Sequence, residues 1–281
     1  MSGPPARRRV LRLCLAFAGV ALTVTGCAGR ALLDRRSDLE LTWARAVVAL
    51  PGGEGEEPLV TTMDSRPMAA RLARSAVGRK LPVVLYLHGC TGIERRDFLA
   101  DLARAGYAVI APDSMARRFR PLQCDPETRT GGYNLFVYDF RQAEISYALQ
   151  RMAALDWVDG ANLFLVGVSE GGVAAALYRG DDFNARVIAQ WTCVGAPIVR
   201  GIAAPPDTPI LAIVRADDPW YAGRRTGPRQ AVSQQGHCGR FAAGRPALRS
   251  IVIEAGQGHD ALAVPGSVRE IVDFLDRYRT R

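Results

Sequence analysis

The clearest chemical signal in the chain is a serine that stands between glycines after an apolar run. Leu163-Phe164-Leu165-Val166 leads into Gly167-Val168-Ser169-Glu170-Gly171-Gly172, and an alanine-rich segment follows. This G-x-S-x-G spacing, between a predicted strand and a predicted helix, is typical of a tight turn that lifts a nucleophilic serine above a sheet. A glycine-rich helix start or a phosphate-binding turn is the alternative, but the G-x-G-x-x-G and P-loop patterns are absent. The sequence therefore predicts Ser169 as a nucleophile.

A serine hydroxyl is a weak nucleophile and needs a base. The chain has three histidines. His259 lies between glycine and aspartate just after the last predicted strand, where the base of a catalytic triad is expected. We interpret His88 as a residue that orders the turn after the strand at 83–87, and His237 as a surface residue.

The base in turn needs an acid that holds its tautomer. The apolar run at 210–214 leads into Arg215-Ala216-Asp217-Asp218-Pro219. Asp218 is the expected acid and Asp217 the alternative, because the register of the turn is not visible in the sequence. The chain order of serine, aspartate and histidine fits a known arrangement of such triads.

An acyl-transfer reaction also needs donors for the developing oxyanion. The backbone N–H of Glu170 directly follows the nucleophile and is the first expected donor. The second is expected from the turn at 88–92, most simply from the N–H of Cys90.

The elements that position these residues alternate along the chain. Several apolar runs are continuous, which is typical of parallel strands that are buried on both faces. Strands that alternate with helices predict a doubly wound α/β sheet, whose functional residues lie at the carboxyl ends of the strands. The predicted strands are 41–49, 58–63, 83–87, 107–111, 163–168, 187–192, 209–214 and 250–254, and the predicted helices with the clearest apolar stripes are 94–105, 137–155 and 266–279.

These motifs, in this order, resemble the α/β-hydrolase superfamily over about residues 80–280. The stretch from Trp157-Val158-Asp159 to Gly167 is similar, more specifically, to the dienelactone-hydrolase branch. The resemblance implies an eight-stranded, mostly parallel sheet with helices on both faces. Dienelactone hydrolases proper use cysteine where this chain has Ser169, so lactone specificity does not follow from it.

The resemblance implies a serine hydrolase that cleaves esters or related acyl bonds in a small-molecule substrate, without a metal or cofactor. A serine peptidase is the alternative enzyme, because a glutamate beside the nucleophile also occurs there. A non-catalytic envelope protein on the same scaffold is the alternative outside enzymes.

Two segments between strands bear on substrate access. Only residues 195–208 separate the sixth and seventh predicted strands, so a large lid is not expected. A longer insertion at 114–136 carries Arg117, Arg118, Arg120 and Arg129. A solvated basic loop is the simpler interpretation, and a subsite for an anionic substrate is the alternative.

The N-terminus is typical of an export signal. A cationic segment precedes an apolar run at 13–25, which is too short to span a bilayer. The run ends in Val24-Thr25-Gly26-Cys27, which resembles a bacterial lipobox, and the arginines at 7–9 also resemble a twin-arginine signal. We expect a signal peptide at 1–26, lipidation of Cys27, a tether at 27–40, a domain at 41–281, and attachment to the bacterial cell envelope.

Export would leave four cysteines in an oxidising compartment, namely Cys90, Cys124, Cys193 and Cys238. Four cysteines allow three connectivities. In the fold that the chain resembles, the strands before Cys90 and Cys124 are neighbours, as are those before Cys193 and Cys238. The resemblance therefore implies these two pairs as disulfides. No cysteine or histidine spacing suggests zinc.

The net charge of +8 does not indicate nucleic-acid binding. Four of the arginines lie in the predicted signal segment, and the chain prefers arginine over lysine almost completely, with Lys80 as the single lysine. Such a preference is better explained by codon bias than by a binding patch, so we expect a mildly basic, solvated surface.

Overall fold

The computed structural model describes residues 35–74, 80–194, 196, 198–216, 218–221, 237–253, 258–264 and 266–280. The chain divides into two compact units, residues 1–37 and 38–281. The predicted signal peptide, Cys27 and Asp217 lie outside the described residues. Within the described part, no helix combines the length and the apolar character that a membrane span requires.

The second unit is built on an eight-stranded sheet, as the sequence predicts. Its strand order is β10-β9-β8-β7-β3-β4-β1-β2. Strands β3, β4, β7, β8, β9 and β10 run parallel, and β1 pairs antiparallel with both β4 and β2. The bounds are β1 Val47–Leu50, β2 Leu59–Thr62, β3 Leu81–Leu87, β4 Ala108–Ala111, β7 Val158–Val168, β8 Ala185–Ala189, β9 Ile210–Arg215 and β10 Leu248–Ile253.

The continuous apolar runs arise because each face of the central strands has its own core. In β3, Val84 and Tyr86 pack into a cluster on one face, whereas Val83, Leu85 and Leu87 pack into a cluster on the other. Successive side chains of a strand point to opposite faces. A strand that is covered on both sides therefore shows no polar alternation.

The described residues contain six α-helices, four of them between strands of the chain. They are α1 Asp38–Ala44, α2 Arg66–Arg74, α3 Arg96–Arg104, α4 Val137–Met152, α5 Glu170–Leu177 and α6 Ser267–Arg277. Helices α3, α4 and α6 correspond to the predicted helices; α4 begins at the predicted residue, and the other ends lie one to three residues inside the predicted bounds. Helix α5 follows the serine turn directly.

The sequence prediction was wrong at the start of the domain. The segment predicted as a strand at 41–49 holds the second half of helix α1 and then most of the short strand β1. Asp38 and Glu40 in the first turn of α1 suit the positive end of a helix dipole, and the following residues 41–43 are buried. The first residues of α1 thus lie inside the segment that was predicted as a tether at 27–40.

The insertion at 114–136 is more ordered than a loop. It contains a two-stranded antiparallel hairpin, β5 Cys124–Asp125 and β6 Thr130–Gly131, which the sequence did not predict. In the link between β8 and β9, the described residues contain no helix.

Candidate active site

Ser169 lies on a strained turn between β7 and α5. Its backbone has φ 55° and ψ −114°, a combination that residues other than glycine rarely adopt. The flanking glycines permit this turn: a Cβ on Gly167 would lie 2.1 Å from the carbonyl oxygen of Gly171, and a Cβ on Gly171 would lie 2.1 Å from that of Leu87. The spacing seen in the sequence is therefore a steric requirement of this turn.

Ser169, His259 and Asp218 form one continuous hydrogen-bonded chain. The Nε2 atom of His259 lies 2.9 Å from the hydroxyl oxygen of Ser169, and its Nδ1 atom lies 2.7 Å from Oδ2 of Asp218. Asp218 is fully buried, and its other oxygen accepts a hydrogen bond from the N–H of Trp220 at 3.0 Å. With Nδ1–H donating to this carboxylate, Nε2 is free to accept the serine proton.

The loop that carries His259 is held by its neighbour Asp260. The carboxylate of Asp260 accepts hydrogen bonds from the side chain of Gln190 at 2.8 Å and from the N–H of Leu262 at 2.9 Å. It also pairs with the guanidinium of Arg95. Sequence reasoning missed these contacts, because Arg95 and Gln190 are distant in the chain and neither stands in a recognisable motif.

The turn at 88–92 lies beside the nucleophile, as the oxyanion prediction requires. A Cβ on Gly89 would lie 3.5 Å from Cβ of Ser169, so the backbone of this turn passes close to the reacting hydroxyl. Cys90, Ser169 and Glu170 all line one cavity. The role of the Cys90 and Glu170 N–H groups as oxyanion donors remains a prediction.

His88 is fully buried and fixes this turn. Its Nδ1 atom lies 2.6 Å from the carbonyl oxygen of Gly89, and its Nε2 atom accepts a hydrogen bond from the N–H of Ser114 at 2.9 Å. Burial, and then the positive charge of Arg141, hold the pKa of His88 well below its ordinary value, so the ring is neutral. These contacts agree with its interpretation as a turn-ordering residue.

The third histidine, His237, is half-buried rather than a free surface residue. Its Nδ1 atom lies 2.6 Å from the hydroxyl of Ser250, and it accepts a hydrogen bond from the N–H of Gly239. It therefore caps the short turn at 238–241.

The cavity beside Ser169 has a volume of about 120 Å³. Aromatic rings, one disulfide and one arginine supply much of its wall, which includes Cys90, Cys124, Arg129, Tyr138, Trp191 and Trp220. Burial, with a contribution from the nearby carboxylate of Glu170, raises the pKa of Tyr138 to about 12, so this phenol stays protonated and can donate a hydrogen bond. The cavity thus combines apolar surface with a few polar groups.

The arginines of the insertion do not form one solvated loop, and that interpretation was wrong for two of them. Arg117 pairs with Glu144 at 2.7 Å and Arg120 pairs with Glu170 at 2.8 Å, with both arginine side chains nearly fully buried. Arg118 is exposed and contacts Asp38, whereas Arg129 lines the cavity. Sequence alone did not reveal that two of these charges are internal.

The described residues form two disulfides, and one of them borders the cavity beside Ser169. Cys90 is bonded to Cys124 and Cys193 to Cys238, which are the pairs that the resemblance implies. The first bond joins the turn beside Ser169 to the hairpin of the insertion. Disulfides form and persist in oxidising compartments, so this pair of bonds points towards export.

Among the described residues, no group of three or more His, Cys, Asp or Glu side chains is placed to hold a metal ion.

Known proteins resemble this chain in their three-dimensional structure. No protein-family model and no curated protein matches the chain. A structure named as a dienelactone hydrolase from Klebsiella pneumoniae is similar at a TM-score of 0.51 and 17% identity, covering 83% of this chain and 99% of its own. An esterase from Pyrococcus furiosus gives 0.51 and 15%, with coverages of 88% and 97%.

A third structure, a bacterial brefeldin A esterase described as a homologue of human hormone-sensitive lipase, gives a TM-score of 0.50 at 16% identity. It covers 89% of this chain and 80% of its own. Sequence identities this low are evidence for a shared fold and not for a shared reaction. Together with the strand order of the sheet and the turn at Ser169, these likenesses show that the chain has the α/β-hydrolase fold.

Proposed function

We propose that the protein is a serine hydrolase that cleaves carboxylic esters, or related acyl bonds, of small molecules through an acyl-enzyme. The observation that carries the proposal is the hydrogen-bonded chain from Ser169 through His259 to the buried Asp218. The serine of this hydrogen-bonded triad lies on a strained turn and lines a cavity. Nucleophile, base and orienting acid are the three parts that such a mechanism needs.

In the proposed reaction, the Ser169 oxygen attacks the acyl carbonyl carbon while its proton passes to Nε2 of His259. The tetrahedral intermediate carries its negative charge on the former carbonyl oxygen, which accepts hydrogen bonds from the N–H groups of Cys90 and Glu170. His259 then gives the proton to the leaving oxygen as the carbon–oxygen bond breaks. Water attacks the acyl-enzyme by the same route and releases the acid and Ser169.

The cavity supports a preference for short acyl groups. A volume of about 120 Å³ is below the range of roughly 300–1,000 Å³ that is usual for drug-sized ligands. Arg129, an exposed residue on its wall, supports a substrate with an anionic substituent, because a guanidinium binds carboxylates well.

Export to the cell envelope and anchoring through a lipid on Cys27 are also part of the proposal. The two disulfides support an oxidising location. The anchor rests on the sequence signal alone, since Cys27 lies outside the described residues.

Labelling with a fluorophosphonate tests the central claim. The wild-type protein should react covalently and the label should map to Ser169, whereas Ser169→Ala should give no label and should lose roughly 10⁴- to 10⁶-fold in kcat. A label on the Ser169→Ala variant equal to the wild type would overturn the assignment.

A substrate panel then defines the reaction. It should contain acetyl, butyryl and octanoyl esters, lactones, thioesters and aminopeptidase substrates, and one pair of esters that differ by a carboxylate. We expect the highest kcat/KM for acetyl or butyryl esters, and a lower KM for the anionic member of the pair. Cleavage confined to the amide substrates would favour a peptidase.

A further inference from the structure

Five charged side chains are buried together behind the candidate oxyanion turn. Each is at most 7% exposed, and they are joined by ion pairs of 2.7 to 3.8 Å. We call this set the buried charge cluster; its members are Arg117 and Arg120 from the insertion, Arg141 and Glu144 from α4, and Glu170 from the start of α5.

The buried charge cluster contacts both segments that are expected to supply oxyanion donors. Arg120 donates to the carboxylate of Glu170 at 2.8 Å, and Glu170 is the residue whose own N–H is the first expected donor. Arg141 donates to the carbonyl oxygen of His88 at 3.0 Å, two residues before Cys90, and its Nε lies 3.8 Å from Glu170. The cluster therefore lies against the site where negative charge would develop.

The charges of the cluster do not cancel. Three guanidinium groups and two carboxylates leave one positive charge. Within the described structure, the Nε and Nη1 atoms of Arg120 are buried and have no hydrogen-bond partner. A further carboxylate, that of Asp113, has its Oδ1 atom 3.9 Å from Nε2 of His88. Because 30% of the Asp113 side chain is exposed, solvent screens its charge more strongly than the buried charges of the cluster.

We propose that the uncompensated positive charge of this cluster, centred on Arg120, stabilises the oxyanion of the tetrahedral intermediate. The inference rests on the proposed hydrolase function and adds a second source of stabilisation behind the two backbone N–H groups. A fixed charge in a site of low dielectric constant acts without reorganisation at the moment of reaction. Arg120 is thus a positioning residue that touches Glu170 and not the substrate.

The expected size of the effect follows from Coulomb's law. Two unit charges about 10 Å apart, at an effective dielectric constant of about 20, change a rate or a binding constant roughly tenfold. The effect should be seen on kcat and on the binding of analogues that form an oxyanion, and should be nearly absent from KM.

The test compares Arg120→Gln with the double variant Arg120→Gln/Glu170→Gln. The single variant leaves two guanidinium groups against two carboxylates and so removes the net positive charge, while Arg141 remains 3.8 Å from Glu170. The double variant removes the same ion pair but restores a net charge of +1. Each is assayed for kcat on a short-chain ester and for inhibition by an aryl trifluoromethyl ketone, whose adduct with Ser169 carries an oxyanion.

We expect Arg120→Gln to lose about tenfold in kcat and in affinity for the ketone, and the double variant to recover most of both. Arg120→Lys, which keeps the charge, should also stay near the wild type. Arg118→Gln is the matched control, since Arg118 comes from the same insertion but is exposed and contacts Asp38.

Two results would overturn the inference: an Arg120→Gln variant that binds the ketone as the wild type does, or a double variant as impaired as the single one. The second result would mean that the ion pair only supports the fold. A wild-type protein that neither hydrolyses esters nor reacts with the ketone would instead overturn the proposed function, and this inference with it.

Discussion

Cys124 is bonded to Cys90 across a Cα–Cα distance of 6.0 Å, which ties a wall of the cavity to the turn beside Ser169. The expected oxyanion donor at Cys90 is therefore held from two sides. His88 fixes the start of the turn through the carbonyl oxygen of Gly89, and the disulfide fixes the position of Cys90 itself.

Loss of this disulfide should impair activity before it unfolds the protein. We expect Cys90→Ser/Cys124→Ser to lower kcat about tenfold or more, because an oxyanion donor that moves loses much of its effect. The variant should also lose roughly 3 to 4 kcal/mol of unfolding free energy, as is usual for a bond across 34 residues. Ester hydrolysis and thermal unfolding, measured on the same samples, separate the two effects.

The second disulfide provides the control. Cys193→Ser/Cys238→Ser opens a loop of similar length, 45 residues, and should cost similar stability with a smaller loss of kcat. Equal losses of kcat in the two double variants would show that the first bond has no special role at the site.

Substituting each of two adjacent aspartates in turn tests which one is the acid of the triad. Asp218→Asn should lower kcat about 10⁴-fold, because an amide that donates to Nδ1 of His259 favours the wrong tautomer. Asp217→Asn is the matched control and should change kcat far less. The ratio of kcat/KM values decides the assignment, and the reverse ranking would move the role to Asp217.

The elements nearest the chemistry were predictable because their signals are local. The turn at Ser169 needs small residues at fixed offsets, so Gly167 and Gly171 stand in the sequence where the backbone requires them. The parallel strands show as continuous apolar runs because both faces are buried. The strand order was available only through the resemblance to a known fold.

Other features depend on contacts between distant residues and left no local signal. Arg117 and Arg120 look like any basic residues in a loop, and only their buried partners Glu144 and Glu170 show that they are internal. The start of the domain was also misread. The apolar residues of α1 and β1 follow one another so closely that they look like one strand.

Gly171 should tolerate no side chain. A Cβ there would lie 2.1 Å from the carbonyl oxygen of Leu87 and 2.8 Å from that of His88, so β3 and α5 would have to separate. We expect Gly171→Ala to lose about 3 kcal/mol or more of unfolding free energy. Denaturant unfolding followed by circular dichroism measures the loss.

Gly160 is the control for this substitution. It lies exposed in β7, and a Cβ there would meet no atom within 4 Å. Gly160→Ala should therefore change stability by less than about 0.5 kcal/mol. If both variants unfolded at the same denaturant concentration, the steric account of the turn would be wrong.

Lipidation of Cys27 is testable independently of the structure. If the lipobox is used, cells that express the full chain should incorporate labelled palmitate into the wild type, and Cys27→Ser should abolish the label. Two or three acyl chains give stable anchoring where one is marginal, so the variant should also move from the membrane fraction to the soluble fraction or remain a precursor. Absence of label from the wild type would show that the lipobox is accidental.

The neutral, buried His88 should make the protein less stable in acid. Its pKa is lowered in the folded state, chiefly by burial, whereas the unfolded chain binds a proton below about pH 6.5. Below that pH the unfolded state binds more protons than the folded state. The contribution of His88 to the free energy of unfolding is therefore fully present above about pH 6.5 and decreases as the pH is lowered. The slope approaches about 1.4 kcal/mol per pH unit for one proton.

His88→Asn removes this titration, so the comparison that matters is the difference between the two proteins at each pH. Glu170 and Asp113, whose pKa values burial raises, are present in both proteins, and their contributions largely cancel. Denaturant unfolding between about pH 5 and pH 8 should show the wild type losing its advantage over the variant as the pH falls below about 6.5. Parallel stability curves would mean that His88 titrates alike in the folded and unfolded states, against the burial of its ring.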